Sequence, residues 1–264
     1  MGQPLAAKAD GGREFVLRSF ARSDVGRRRE QNEDSYFRDD ELGLYVVADG
    51  MGGHAAGEIA SAEAVDTVFG MIKRGLPDLG ECGPRLTEAQ IAGARRLLEG
   101  AIQAATYMVY AISEVDRGKA GMGTTMSAAL VVGAVVITGQ VGDSRIYRIR
   151  GRDAQQLTED HTLVAWQIKQ GVLTEEEAKV SPHRNVITRS VGGREYVEVD
   201  TSVLEVTRGD HYLLCSDGLY GYLEKDEIPD VVALGGEAAI DAFIKIANDR
   251  GGRDNITAIL VSVE

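Results

Sequence analysis

The sequence predicts an α+β chain: a four-layer α-β-β-α sandwich with two central antiparallel sheets and a flap subdomain on the rim. Three observations predict it. Strand-like apolar runs cluster apart from the helical stretches instead of alternating with them, which argues against a doubly wound parallel sheet. Two long helical patterns follow one another in the first half, and one more comes near the end. The stretch 160–191 fits neither pattern, being charged, with short helical pieces and the only tryptophan, Trp166.

Taken in order, residues 1–12 are small and polar and are expected to form a disordered tail. Phe15-Val16-Leu17 begins a strand. Leu44-Tyr45-Val46-Val47-Ala48 is a continuous apolar run ending at Asp49, as expected of a strand buried on both faces. From about Ala55 the spacing turns helical, with Ile59, Val65, Val68, Phe69 and Ile72 on one side, until Gly75 and Pro77 stop it. Thr87 followed by Gln90 reads as a capping box opening a second helix. Its apolar face is carried by Ile91, Ala94, Leu98, Ala101, Ile102, Ala105, Val109 and Ile112.

Strands return over 127–132 and 134–140, joined at Gly133, and again over 144–150. After the flap at about 160–191 come strands over 197–206 and 212–216. A helix over 238–247 is stopped by Gly251-Gly252, and a closing strand spans 256–263. No repeat, linker or shift of composition marks a second domain, so 13–264 is read as a single domain.

Composition narrows the partners. Of 264 residues, 29 are basic and 41 acidic, a net charge of −12. Nucleic acid and anionic membranes need a cationic surface, so neither is expected as the main partner. Cys82 and Cys215 are the only cysteines, a usage that fits a reducing cytosol; Cys215 reads as a core residue, with a disulfide to Cys82 left open. The start has no signal-peptide pattern, and the longest apolar stretch, 128–137, is too short to span a bilayer. A cytoplasmic monomer is the expectation.

The chemistry-bearing signal is a set of five acidic islands: Asn32-Glu33-Asp34, Asp49-Gly50-Met51-Gly52-Gly53-His54, Gly142-Asp143-Ser144-Arg145, Ser216-Asp217-Gly218-Leu219 and Asp254-Asn255. Each falls at the end of an apolar, strand-like run. Taken alone, Asp-Gly and Gly-Gly usually just make turns. Carboxylates gathered at one point without positive partners repel, however, and need hard cations between them. The set therefore suggests a polynuclear Mg²⁺ or Mn²⁺ centre, with oxygen-only ligands disfavouring zinc.

The islands resemble the motifs of the metal-dependent protein phosphatase family, the type 2C serine/threonine phosphatases, in its bacterial form. The matching stretches are Arg22-Ser23-Asp24-Val25-Gly26, Arg29 with Asn32-Glu33-Asp34, and Val47 to His54. Gly123-Thr124-Thr125, Val141 to Arg145, Leu214 to Leu219 and Asp254-Asn255-Ile256-Thr257 follow, in the family's order and over nearly the whole chain. The resemblance implies a two-metal Mn²⁺ or Mg²⁺ centre held by Asp34, Asp49, Asp217 and Asp254 with the Gly50 carbonyl. Asp143 would help bind a third, looser ion. It further implies hydrolysis of phosphoserine and phosphothreonine by a metal-bridged water, without a phosphoenzyme, reversing a cognate bacterial kinase.

His54 would serve as general acid, and Arg29 would grip the substrate phosphate, although Arg27-Arg28-Arg29 is also the kind of charge run that is usually solvated. Arg145 is expected to fix the Asp143 loop by local pairing. His161, His183, His211 and Trp166 are assigned surface or packing roles. Two alternatives stand beside this reading: a metal-binding protein that captures phosphorylated partners without turnover, and the same chemistry acting on a phosphorylated anti-sigma-antagonist protein or a small phosphoester. The complete acidic set argues against the first.

Overall fold

Side-chain alternation along the apolar runs sorts the core into three layers. In the computed structural model, which describes residues 13–52 and 56–264, strand β1 (Leu17–Asp24) is followed by β2 (Asp34–Asp39) and β3 (Leu44–Met51). Along β3, Leu44, Val46 and Ala48 face a cluster shared with two helices, while Tyr45 and Val47 face the opposite way. Both faces are covered, which is why the run is apolar throughout rather than alternating. Each large side chain buried in this way stabilises the fold by about 1.5–3 kcal/mol. The expected tail over 1–12, and His54, lie outside the described residues.

The two helices are α1 (Ala56–Gly75) and α2 (Glu88–Val115). Thr87 and Gln90 form the expected capping box at the start of α2. Then come β4 (Gly123–Thr124), β5 (Met126–Val132), β6 (Val135–Val141), β7 (Arg145–Arg150) and β8 (Asp153–Gln156). The β5–β6 turn is made at Gly133, whose φ of +53° is one that glycine adopts without strain. The flap region carries α3 (Leu163–Lys169) and α4 (Glu175–Lys179). The chain returns through β9 (Asp200–Glu205), β10 (Asp210–Cys215), α5 (Asp217–Tyr220), α6 (Ile228–Val232), α7 (Gly236–Asp249) and β11 (Ile256–Val263).

The strands form two antiparallel sheets, ordered β1-β11-β10-β7-β8 and β2-β3-β5-β6-β9, with β4 paired to β3. Tyr45, Val47, Ala129, Tyr212, Ile259 and Val261 fill the space between the sheets. Helices α1 and α2 cover one outer face. Helix α7, with Phe243 and Ile244, covers the other together with α5 and α6. The result is the expected four-layer α+β sandwich.

Register decides where the chemistry sits. Asp34 pairs with Asp49 at one end of the β2–β3 ladder. In the other sheet Cys215 pairs with Ala258 and Arg145, and Asp24 with Ile256, so the residues just beyond these ends emerge on one rim. Three elements differ from the sequence expectation. Strand β9 begins at Asp200 rather than 197, because Val197 turns into the helix-covered core. Strands β2 and β8 carry too little apolar pattern to be anticipated. Cys82 and Cys215 are both free thiols.

Candidate metal centre

Asp34 and Asp49 stand directly opposite each other across two strands, an arrangement in which like charges destabilise a sheet. Asp34 is buried; its Oδ2 accepts a hydrogen bond of 2.8 Å from the Ser216 hydroxyl. The Asp49 amide donates to Thr125 Oγ1 at 2.9 Å, and its carbonyl accepts from the Thr125 amide at 2.8 Å. Next to it, a side chain on Gly50 would run into the carbonyl oxygens of Gly57 and Glu33, so only glycine fits.

Asp143 follows Gly142, whose φ of +96° turns the chain tightly against Thr125. Asp217 opens the short helix α5 at the end of β10. The following Gly218 lies so close to the Asn255 carbonyl that a Cβ there could not be accommodated. That approach brings Asp254 to Asp217. Asn255 secures it: its Oδ1 accepts the Glu33 amide at 2.8 Å, and its Nδ2 donates to the Val25 and Gln31 carbonyls at 3.0 and 2.9 Å. One buried amide thus joins the arginine-bearing loop, the start of β2 and the start of β11.

The electrostatics are those of partly or wholly buried carboxylates gathered near one another. Burial, followed by its carboxylate neighbours, raises Asp49 well above the ordinary range; the neighbours are Asp34, Asp217, Asp143 and Asp254. Burial likewise pushes Asp34 up to about 7, against the lowering effect of the Ser216 hydrogen bond. Asp143 rises to about 7 through burial and then Asp217, and Asp217 to about 6 through burial and then Asp254. Two oxygens, Asp34 Oδ1 and Asp217 Oδ1, are buried with no hydrogen-bond partner among the described residues. A buried polar oxygen left unpaired costs about 1–3 kcal/mol, so such atoms need a ligand. Divalent cations that prefer oxygen fit this set.

Among the described residues, no three acidic, histidine or cysteine side chains stand close enough to cage an ion by themselves.

Arg29 lies at the edge of the cluster, about half exposed, its Nη2 on Asp254 Oδ2 at 2.8 Å. Arg145 differs from expectation. It makes a two-pronged pair with Asp160, at 3.0 Å from Nε and 2.6 Å from Nη2, and stacks on the Tyr220 ring at 3.7 Å. It therefore ties the end of the Asp143 loop to the start of the flap rather than closing the loop on itself. His161 takes the packing alternative of its assignment, buried against the Gly142 backbone.

With the geometry in view, likeness to known proteins decides the family. The protein phosphatase 2C model matches residues 26–260. The chain belongs to the protein phosphatase 2C family. The serine/threonine phosphatase stp of Listeria welshimeri is 39% identical over 249 residues, covering 91% of this chain and 93% of that one. The crystal structure of the Mycobacterium tuberculosis serine/threonine phosphatase PstP/Ppp superposes with a TM-score of 0.83 at 34% identity, covering 94% of this chain and 99% of that one. The catalytic domain of PstP in complex with two manganese ions gives a TM-score of 0.81 at 34% identity, with the same coverage.

Within this phosphatase, Asp34, Asp49, Asp143, Asp217 and Asp254 are brought within one another's field, with Arg29 beside them. Ser216, Thr125 and Asn255, which were given no role from sequence, and His161 hold parts of the site in place. The first three sit inside or beside the motifs, but only the fold shows which atoms they hold. Among the described residues, no helix is long and apolar enough to cross a membrane.

Proposed function

We propose that this metal-dependent serine/threonine protein phosphatase holds a two-metal Mn²⁺ or Mg²⁺ centre with Asp34, Asp49, Asp217, Asp254 and the Gly50 carbonyl. Asp143 and Asp217 hold a third, looser ion, and the substrates are phosphoserine and phosphothreonine in proteins. The observation that carries this reading is the pair of buried, unpartnered oxygens, Asp34 Oδ1 and Asp217 Oδ1. Divalent ions in that place supply Lewis-acid activation of water at neutral pH and neutralise charge on the phosphoryl group.

The chain's own residues do the rest. Ser216 orients Asp34 by donating to Oδ2, which leaves Oδ1 directed to a ligand. Arg29 exchanges its Asp254 contact for the substrate phosphate, whose oxygens match a guanidinium fork. His54 protonates the departing serine or threonine oxygen. A covalent phosphocysteine is disfavoured, since Cys215 is fully buried and burial pushes its thiol up to about 12. The substrates are those of a cognate kinase whose signal the enzyme reverses. It works as a cytoplasmic monomer built on one catalytic domain over 13–264, with the flap at about 160–191.

The test compares two leaving groups. With saturating Mn²⁺, His54→Ala is expected to lose about 10²–10⁴-fold on a phosphothreonine peptide and far less on an aryl phosphate, whose leaving group barely needs a proton. Equal losses on both substrates would remove the acid role. No phosphate release from the wild type, with Asp49→Asn behaving identically, would remove the whole reading.

A further inference from the structure

His161 makes a reciprocal clasp with Gly142, the residue that turns the chain into Asp143. The Gly142 amide donates to His161 Nδ1 at 3.1 Å, and the His161 amide donates to the Gly142 carbonyl at 2.9 Å. Accepting on Nδ1 requires a lone pair there, so in the neutral ring the proton lies on Nε2. That nitrogen is 3.0 Å from Asp200 Oδ2. Asp200 is fixed in turn by Arg189 Nη1 at 2.8 Å. The imidazole is almost wholly buried, with 6% of its side chain exposed, whereas Asp200 retains 44%.

From the other side, Gln140 Nε2 donates to the Gly142 and Ser144 carbonyls at 3.0 and 2.7 Å. Ser144 Oγ reaches Thr125 Oγ1 at 2.8 Å, and Thr125 Oγ1 accepts the Asp49 amide. The Asp143 turn is thus gripped from the flap side by one histidine and joined to Asp49 by a buried polar chain. Gly142 has no side chain, and its positive φ leaves the turn only its backbone to be held by.

We propose that His161 is a positioning residue that, through its Nδ1 contact with Gly142 and its Nε2 contact with Asp200, sets the place of the Asp143 carboxylate and so the strength of the loosest metal site. The proposal rests on the reading of Asp143 as a ligand of that site. A histidine that merely fills space would leave metal binding untouched, or would weaken every site as the fold loosens. A positioning histidine weakens one site. Residues that orient a metal ligand typically change affinity 10–100-fold, and the action through a backbone turn sets the expectation at the lower end, about tenfold.

The experiment is an equilibrium Mn²⁺ titration of the whole chain, counting free ion by electron paramagnetic resonance, with thermal melts alongside. Asp143→Ala should abolish the weakest class of site and leave the tight class in place. His161→Ala should weaken that class about tenfold with the tight class unchanged, and should add nothing in the Asp143→Ala background. His161→Asn, which keeps an acceptor close to where Nδ1 lies, should restore most of the loss. Asp200→Ala, at a partly exposed position, should weaken the same class by a smaller factor.

If Asp143→Ala leaves the titration unchanged, the assignment of Asp143 falls, and the inference with it. If Asp143→Ala acts as expected while the His161 and Asp200 variants bind all ions like the wild type, the inference alone is overturned. Uniform weakening of every site, with a lowered melting temperature and no rescue by asparagine, would also overturn it. Should His161→Ala fail to fold, the asparagine and Asp200 variants decide by the same criteria.

Discussion

Strand β10 has an aspartate at its start and another just past its end, and the two are treated in opposite ways. Asp210, at its start, is fully buried, yet Arg150 grips it with Nε at 2.6 Å and Nη2 at 2.8 Å, and the Thr207 amide adds a bond of 2.9 Å. Burial works against its charge, but these partners outweigh it and hold the carboxyl below the ordinary range. Asp217, just past the other end, is pushed up to about 6 by burial and then by Asp254. One end of the strand has its counter-charge built into the chain. At the other end Arg29 and Arg145 only partly offset the burial and the neighbouring carboxylate, and the proposed metal centre would supply the rest of the counter-charge.

The comparison can be broken most sharply at Asp217. Asp217→Asn should lower phosphothreonine hydrolysis by about 10³-fold or more, since Lewis-acid stabilisation is worth several kcal/mol and each 1.36 kcal/mol is tenfold. Excess Mn²⁺ should not restore the rate in a steady-state assay, and full recovery would mean that this carboxylate is dispensable.

Next in size is the pH response of the metal-free protein. Folded Asp34, Asp143 and Asp217 hold protons up to about 7, 7 and 6, against about 3.9 for an unfolded aspartate. A folded value raised above the unfolded one gives stability that is full below the unfolded value and is lost as pH rises through the folded value. Stripped of metal, the protein should therefore melt at progressively lower temperature between about pH 5 and 8. Added Mn²⁺ should flatten or reverse that slope. A metal-free melting temperature that rises over this range would contradict the cluster.

A smaller effect is expected at Ser216. Ser216→Ala removes the hydroxyl between Asp34 Oδ2 and the Thr257 amide. Calorimetry should find Mn²⁺ binding about tenfold weaker, the low end for a group that orients a ligand. Denaturant unfolding should find about 1–3 kcal/mol less stability, because the Thr257 amide is left unpaired. The smallest effect on function should come from the far end of β10. Asp210→Asn should cost about 1–3 kcal/mol of stability by unmaking its charged pair, while the Mn²⁺ requirement stays that of the wild type. A shifted metal requirement there would show that the two ends are not independent.

Much of the fold was legible because burial on both faces leaves an unmistakable trace. Residues 44–48 are apolar without interruption and 256–263 are broken only by Thr257 and Ser262, and β3 and β11 follow them closely. Strand β2 left no such trace, since Asp34–Asp39 is an edge strand with four of its six positions polar. In β8 only Ala154 is buried. The ligand candidates were legible as acidic islands, while their supports were not. Ser216 reaches Asp34 across 182 positions and Asn255 reaches Glu33 across 222. Partnerships of that range belong to the packed molecule. The Arg145 pairing missed for the same reason: the carboxylate within its reach is set by how the flap folds back, so Asp160 wins over its nearer neighbour in sequence.

The position of β11 has a consequence for how the enzyme comes into being. It is the last strand in the chain, yet it lies inside its sheet, with β1 on one side and β10 on the other. On the ribosome, β1 and β10 have nothing to join them until this segment emerges, and Asp254 arrives just ahead of it. On the reading of Asp254 as a ligand, the metal centre is completed only after every other described strand has been made. Until then the edges of β1 and β10 that β11 covers are open to association with other chains.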